Sequence, residues 1–167
     1  GISAGVKSGI DLSSMGRLMF KAEWRRLDKN FVPGYFNENY ESNPISLASV
    51  EASTTTANKN GYYLQLDTAV MDMFALLASY ENYEGSQATL TAKARAAYDK
   101  YDVEASYNQA NFRDFRSFSL EEGAVITADI GYLINTNTKL VTHYKKAFDP
   151  TVGKVVESTL YEVKMSL

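Results

Sequence analysis

One histidine and no cysteine occur among the 167 residues, so acid–base chemistry, if any, centres on His143. Imidazole is the side chain whose ordinary titration lies nearest neutral pH. If Asn135-Thr136-Asn137 is a three-residue loop, the flanking runs set His143 opposite Asp129 on one face of a hairpin. A carboxylate beside an imidazole can orient a general base, so an enzyme working through His143 and Asp129 is one reading. No serine is placed beside the pair, and the same register puts it inside a sheet wall, where a structural histidine is the plainer role. No catalytic residue is therefore assigned. With no second histidine and no EF-type loop, no metal site is expected either. Glu121, Glu122 and the acids of Asn37-Glu38-Asn39-Tyr40-Glu41 could hold Ca²⁺ loosely, but solvated loop carboxylates explain them equally. Tyr35, Phe36 and Tyr40 could touch a sugar or a surface partner, or pack on the loop itself. Phosphate-cradling glycine motifs are absent, and no cofactor is expected.

The elements that would position these groups are strands. In Ala88 to Asn108, Leu90, Ala92, Ala94, Ala96 and Tyr98 alternate with Thr91, Lys93, Arg95 and Ala97. After Asp99-Lys100 the alternation resumes, with Tyr101, Val103, Ala105 and Tyr107 against Asp102, Glu104, Ser106 and Asn108. Period two means strand, and two residues between matched runs mean a hairpin. Pairing Tyr98 with Tyr101 sets Arg95 opposite Glu104, where opposite charges favour the register.

The same unit recurs along the chain. Strands are expected over Gly1–Leu12, Arg17–Asp28, Gly61–Val70, from Phe74, from Ala88, from Tyr101, from Ala124, through Leu140–Lys145 and over the closing Thr159–Leu167 run. A three-residue turn between the first two would set Lys7 against Glu23. Long loops are expected at about 29–60 and 110–123, and connections alternate between short and long. Charges segregate: only Arg26, Lys146 and Glu157 share the apolar phase, all at strand ends. The other face carries Lys7, Arg17, Lys21, Arg25, Lys93, Arg95, Lys139, Lys145 and Lys164 with Asp11, Glu23, Asp67, Glu81, Asp102, Glu104, Asp129 and Glu162. Aromatics in the apolar phase fall near strand ends. Trp24, Tyr62, Tyr80, Tyr107 and Tyr144 lie toward the long loops, and Phe74, Tyr98, Tyr101 and Tyr132 toward the short turns, with alanines between.

A net charge of −3 gives no electrostatic reason to propose nucleic acid as a partner. No run of about 18 apolar residues could form a membrane helix. The mean hydropathy of −0.28 fits a soluble protein, but also a membrane barrel, half of whose strand residues face water. Alternation alone fits a soluble calycin-like barrel binding an apolar ligand. Strand lengths near ten residues, two aromatic bands around an alanine-rich zone, and turns that are short at one end favour lipid.

The pattern resembles bacterial outer-membrane β-barrel proteins over essentially the whole chain, and Thr159-Tyr161-Val163-Met165-Leu167 is similar to their closing assembly strand, with Leu where an aromatic usually stands. Phe31-Val32-Pro33-Gly34-Tyr35-Phe36 and the residues after it are similar to loops of large outer-membrane proteins. The resemblance implies one all-β domain over 1–167, an antiparallel up-and-down transmembrane barrel or a large barrel fragment of about eight to ten strands. It implies a Gram-negative outer membrane, the bilayer as partner, and a channel, porin-like protein or surface scaffold of unspecified solute. Because nine strands is odd, either a further strand lies within Ile45 to Ser53 or the chain is the C-terminal part of a larger barrel; the second is the favoured expectation, and the remaining strands would then also be partners. The charged face, with Lys21, Glu23, Arg25, Lys93, Arg95, Glu104, Asp129, His143, Lys145, Glu162 and Lys164, would line a lumen of little ion selectivity.

Overall fold

Alternation of side chains converts directly into strands in the computed structural model, which describes residues 1–28, 58–71, 73–114, 123–149 and 152–166. Tyr35, Phe36, Tyr40, the acids at 38, 41, 121 and 122, the stretch 45–53 and Leu167 lie outside the described residues. Nine strands follow one another: β1 Ile2–Asp11, β2 Gly16–Leu27, β3 Lys59–Val70, β4 Phe74–Tyr83, β5 Ala88–Tyr98, β6 Tyr101–Phe112, β7 Ala124–Asn135, β8 Thr138–Asp149 and β9 Lys154–Met165. All lie in one sheet in sequence order, each antiparallel to the next.

The expected barrel is not closed. Among the described residues β1 pairs only with β2 and β9 only with β8. In an antiparallel meander every odd strand runs the same way, so β1 and β9 point in one direction. Sealing the sheet on itself would need a parallel pair, which the alternation of the other eight pairings does not provide. Every residue of both edge strands is exposed on both faces.

The opening hairpin has the expected register, Tyr98 opposite Tyr101 and Arg95 opposite Glu104. Elsewhere turn chemistry moves the boundaries. Asp11 Oδ1 accepts a hydrogen bond from the Ser13 amide (2.9 Å) and fixes a 3₁₀ turn over Ser13–Met15. That places Lys7 opposite Lys21, and Glu23 opposite Gly5, correcting the expected Lys7–Glu23 pairing by one same-face step. The second long loop begins later than expected, because β6 continues through Phe112. Asn111 adopts a positive φ of 69°, the ladder shifts between Ala88 and Thr89, and Phe112 comes opposite Ala88. This is a bulge: one extra residue turns Phe112 onto the apolar face, where unbroken alternation would put it on the ionic one. Likewise β7 runs to Asn135 and β8 starts at Thr138, with the register shifting between Leu133 and Asn135. The extra residue sits in the strand rather than in the loop, and Asp129 still meets His143.

Core burial is slight. Among the described residues one apolar cluster forms, of Ala88, Leu90 and Phe112 with Tyr80 and Tyr107 packed against it. Along β3 the apolar phase (Tyr62, Leu64, Leu66, Val70) is exposed while Tyr63, Gln65 and Asp67 between them are half-buried. Among the described residues no second layer covers the apolar face.

Candidate functional site

The charged face is organised by register into three groups. In the first, at the long-loop end, Tyr63 of β3 lies between Glu23 of β2 and Glu81 of β4. Arg25 packs its guanidinium 3.9 Å from the centre of the Tyr63 ring. It donates to Glu23 Oε2 from Nη2 at 2.7 Å and from Nε at 3.0 Å. Its Nη1 reaches the Tyr83 hydroxyl at 3.4 Å and Glu81 at 3.5 Å. Lys21 reaches the other Glu23 oxygen at 2.7 Å, which offsets its position opposite Lys7. A guanidinium that both stacks and forks onto a carboxylate is held more firmly than an ammonium would be. The Glu23 side chain is 17% exposed and that of Arg25 25%.

The second group crosses three strands at the short-turn end. Asp102 of β6 and Lys139 of β8 meet at 2.8 Å over Gly131 of β7. A Cβ at Gly131 would lie 2.3 Å from Lys139 Cε and 2.4 Å from Asp102 Oδ1, so the missing side chain is what lets the two ends meet.

The third group contains His143. Its Nδ1 lies 2.8 Å from Asp129 Oδ1 and its Nε2 3.0 Å from Glu162 Oε2, while Lys164 reaches the same Glu162 oxygen at 3.4 Å. The expected Asp129 partner is therefore present, and Glu162 from β9 is a second one. Both ring nitrogens are engaged, and the arrangement ties β7, β8 and β9 together. Lys93, Arg95 and Glu104 are more exposed, and Lys145 lies on the same face of β8 as His143. Among the described residues no group of three or more His, Cys, Asp or Glu side chains could hold a metal.

The opposite face carries the aromatic bands. At the long-loop end Trp24 is opposite Tyr62; the Tyr62 and Tyr80 rings lie 6.0 Å apart, and Tyr80 meets Phe112 edge-on at 6.2 Å. Tyr107 donates to Gln109 Oε1. Tyr107 and Tyr144 do not lie at the long-loop end as expected: β6 and β8 extend beyond the expected runs, so both residues sit mid-strand, Tyr144 opposite Ala128 and Thr159. At the short-turn end Tyr101 and Tyr132 lie 5.0 Å apart, with Tyr98 opposite Tyr101 and Phe74 opposite Ala96. Lys146 and Glu157, out of phase with the other charges, bond to each other across β8 and β9.

Sequence reasoning missed Phe112, because the bulge breaks the period just before it. It also missed Tyr63 and Tyr83 as partners of Arg25, since an aromatic in the polar phase carries no distinguishing signal until the register is known. A groove of about 510 Å³ at the long-loop rim, lined by Trp24, Asn60, Tyr62, Asn82, Glu84 and Ser86 among others, was missed as well.

No protein-family model, no curated protein and no solved structure matches this chain.

Proposed function

We propose that this sheet is part of the wall of a β-barrel in a bacterial outer membrane. Its alanine-and-tyrosine face meets acyl chains and its ionic face lines the interior, as a porin-like channel or surface scaffold. The observation that carries this reading is that, among the described residues, the sheet is a single layer whose apolar face is uncovered on interior strands: Trp24 is 48% exposed, Leu66 40%, Phe74 42% and Ile130 47%. A soluble sheet buries such a face under a second layer, whereas lipid supplies the missing layer itself. The rings that do lie toward strand ends, Trp24 with Tyr62 at one end and Phe74, Tyr98, Tyr101 and Tyr132 at the other, support the same placement, since amphipathic rings favour the headgroup level.

Strand parity supports a larger closed structure. Bacterial barrels of one chain have even numbers of antiparallel strands, and an odd number of further strands would pair antiparallel with both β1 and β9. Unpaired edge amides in hydrocarbon cost several kcal/mol each, so further strands would remove a large penalty. The ionic face is nearly balanced in sign, which suits weak ion selectivity. His143 has a structural role in this proposal, and no enzymatic activity is assigned.

The single tryptophan provides the test. Reconstituted into vesicles whose acyl chains carry bromine, the protein should lose Trp24 fluorescence by contact quenching. Unquenched Trp24, together with a monodisperse protein in detergent-free buffer, would overturn the reading in favour of a soluble sheet.

A further inference from the structure

The groove at the long-loop rim combines two rings of the aromatic band, Trp24 and Tyr62, with polar side chains that an aromatic band does not need. Five of its lining side chains fall on the apolar face: Trp24 from β2, Asn60 and Tyr62 from β3, Asn82 at the end of β4, and Glu84 just beyond it. Trp24 and Tyr62 are cross-strand neighbours and both nearly half exposed, giving an aromatic shelf. Polar groups border the shelf in fixed positions. Asn82 Nδ2 donates to the Tyr62 hydroxyl at 3.3 Å. Glu84 Oε2 accepts from both the amide and the side chain of Asn60 at 3.2 Å, and the Glu84 amide donates to the Asn60 carbonyl at 2.8 Å. Ser86, at the far side, accepts from Lys59 at 2.9 Å. The volume of about 510 Å³ falls in the range of small-molecule sites, roughly 300–1,000 Å³.

We infer that this groove binds the sugar headgroup of a glycolipid. A pyranose has C–H faces that lie flat on aromatic rings, and hydroxyls that both donate and accept. Asn supplies donor and acceptor, a carboxylate accepts, and a serine hydroxyl does both. The lining side chains include a carboxylate and no lysine or arginine, but Lys59 donates to the lining Ser86 and Arg26 stands opposite Asn60, so charge alone does not exclude a phosphate headgroup and the comparison with phosphatidylglycerol decides it. Below the shelf the same face of β3 continues as Leu64 and Leu66, exposed at 38% and 40%. That stripe is a path for an acyl chain joined to the sugar, and it is why a glycolipid fits better than a free saccharide.

The inference rests on the proposed membrane placement, and the test separates the two. The protein is held in polyoxyethylene-ether micelles, and Trp24 emission is followed while dodecyl maltoside, maltose or phosphatidylglycerol is added. A saturable change with dodecyl maltoside alone is expected, weakened about tenfold in Asn82→Leu or Glu84→Gln by loss of a hydrogen bond. Equal response to phosphatidylglycerol, equal response to maltose, no saturation, or no weakening in both variants would each overturn it. Quenching by brominated lipid is unaffected by any of these results, so a failed sugar site leaves the membrane placement standing. Loss of that quenching would instead remove the placement.

Discussion

Two glycines of the sheet differ in what stands beside them, and that difference sets the cost of adding a methyl group. At Gly61 a Cβ would lie 2.3 Å from the Asn82 carbonyl oxygen and 2.3 Å from the Tyr83 ring. Backbone and a buried ring give way poorly, so Gly61→Ala should cost about 1–3 kcal/mol. At Gly131 the neighbours are the ends of Lys139 and Asp102, which can swing aside at the loss of a partly exposed ion pair, less than about 1 kcal/mol. Urea titration of the two variants in micelles checks the order. His143 belongs to the same scale: by bridging Asp129 and Glu162 it joins edge strand β9 to β7 through β8. His143→Ala should speed amide hydrogen exchange over Lys154–Met165 more than over Ala124–Asn135. Equal speeding in both strands would show that the bridge does not hold the edge.

Among the elements, β6 shows what periodicity conveys and where it stops. Its first half was legible in the sequence, because Asp99-Lys100 separates two matched alternating runs and only one register pairs Arg95 with Glu104. Its last residues were not, because Asn111 takes a left-handed conformation and interrupts the count. Asparagine tolerates that conformation, whereas a β-branched residue pays about 1–2 kcal/mol. Asn111→Val should therefore destabilise by about that amount and Asn111→Gly by little, as read by thermal unfolding. The β1–β2 register was misjudged by one step because the side chain of Asp11, which fixes the turn, acts outside the alternation. Of the histidine site, Asp129 was legible because one short turn sets its distance from His143. Glu162 was not, since the β8–β9 register depends on residues 150–153, whose spacing alone does not define it. The facing of β5 has its own check. With Ala94 toward lipid near the midplane, Ala94→Arg should cost roughly 2–4 kcal/mol and Thr91→Arg, on the ionic face, much less.

For the whole molecule the balance of charge on the ionic face bears on transport. In a planar bilayer separating unequal KCl concentrations, any conducting form should reverse near zero millivolts. A reversal close to the potassium or chloride limit would show that one sign of charge dominates the path, against the pairing of Lys21 and Arg25 with Glu23 and of Lys139 with Asp102.

The common direction of β1 and β9 also limits how copies of this chain can associate. On the proposed membrane placement, two molecules inserted the same way up could bring β1 and β9 edges together only as strands running alike, so they could not zip in the pattern used throughout their own sheets. An inverted neighbour could, but its loops would emerge from the opposite leaflet. Homo-oligomers in one membrane should therefore form through faces, turns or loops, while their sheet edges await a strand of the opposite sense.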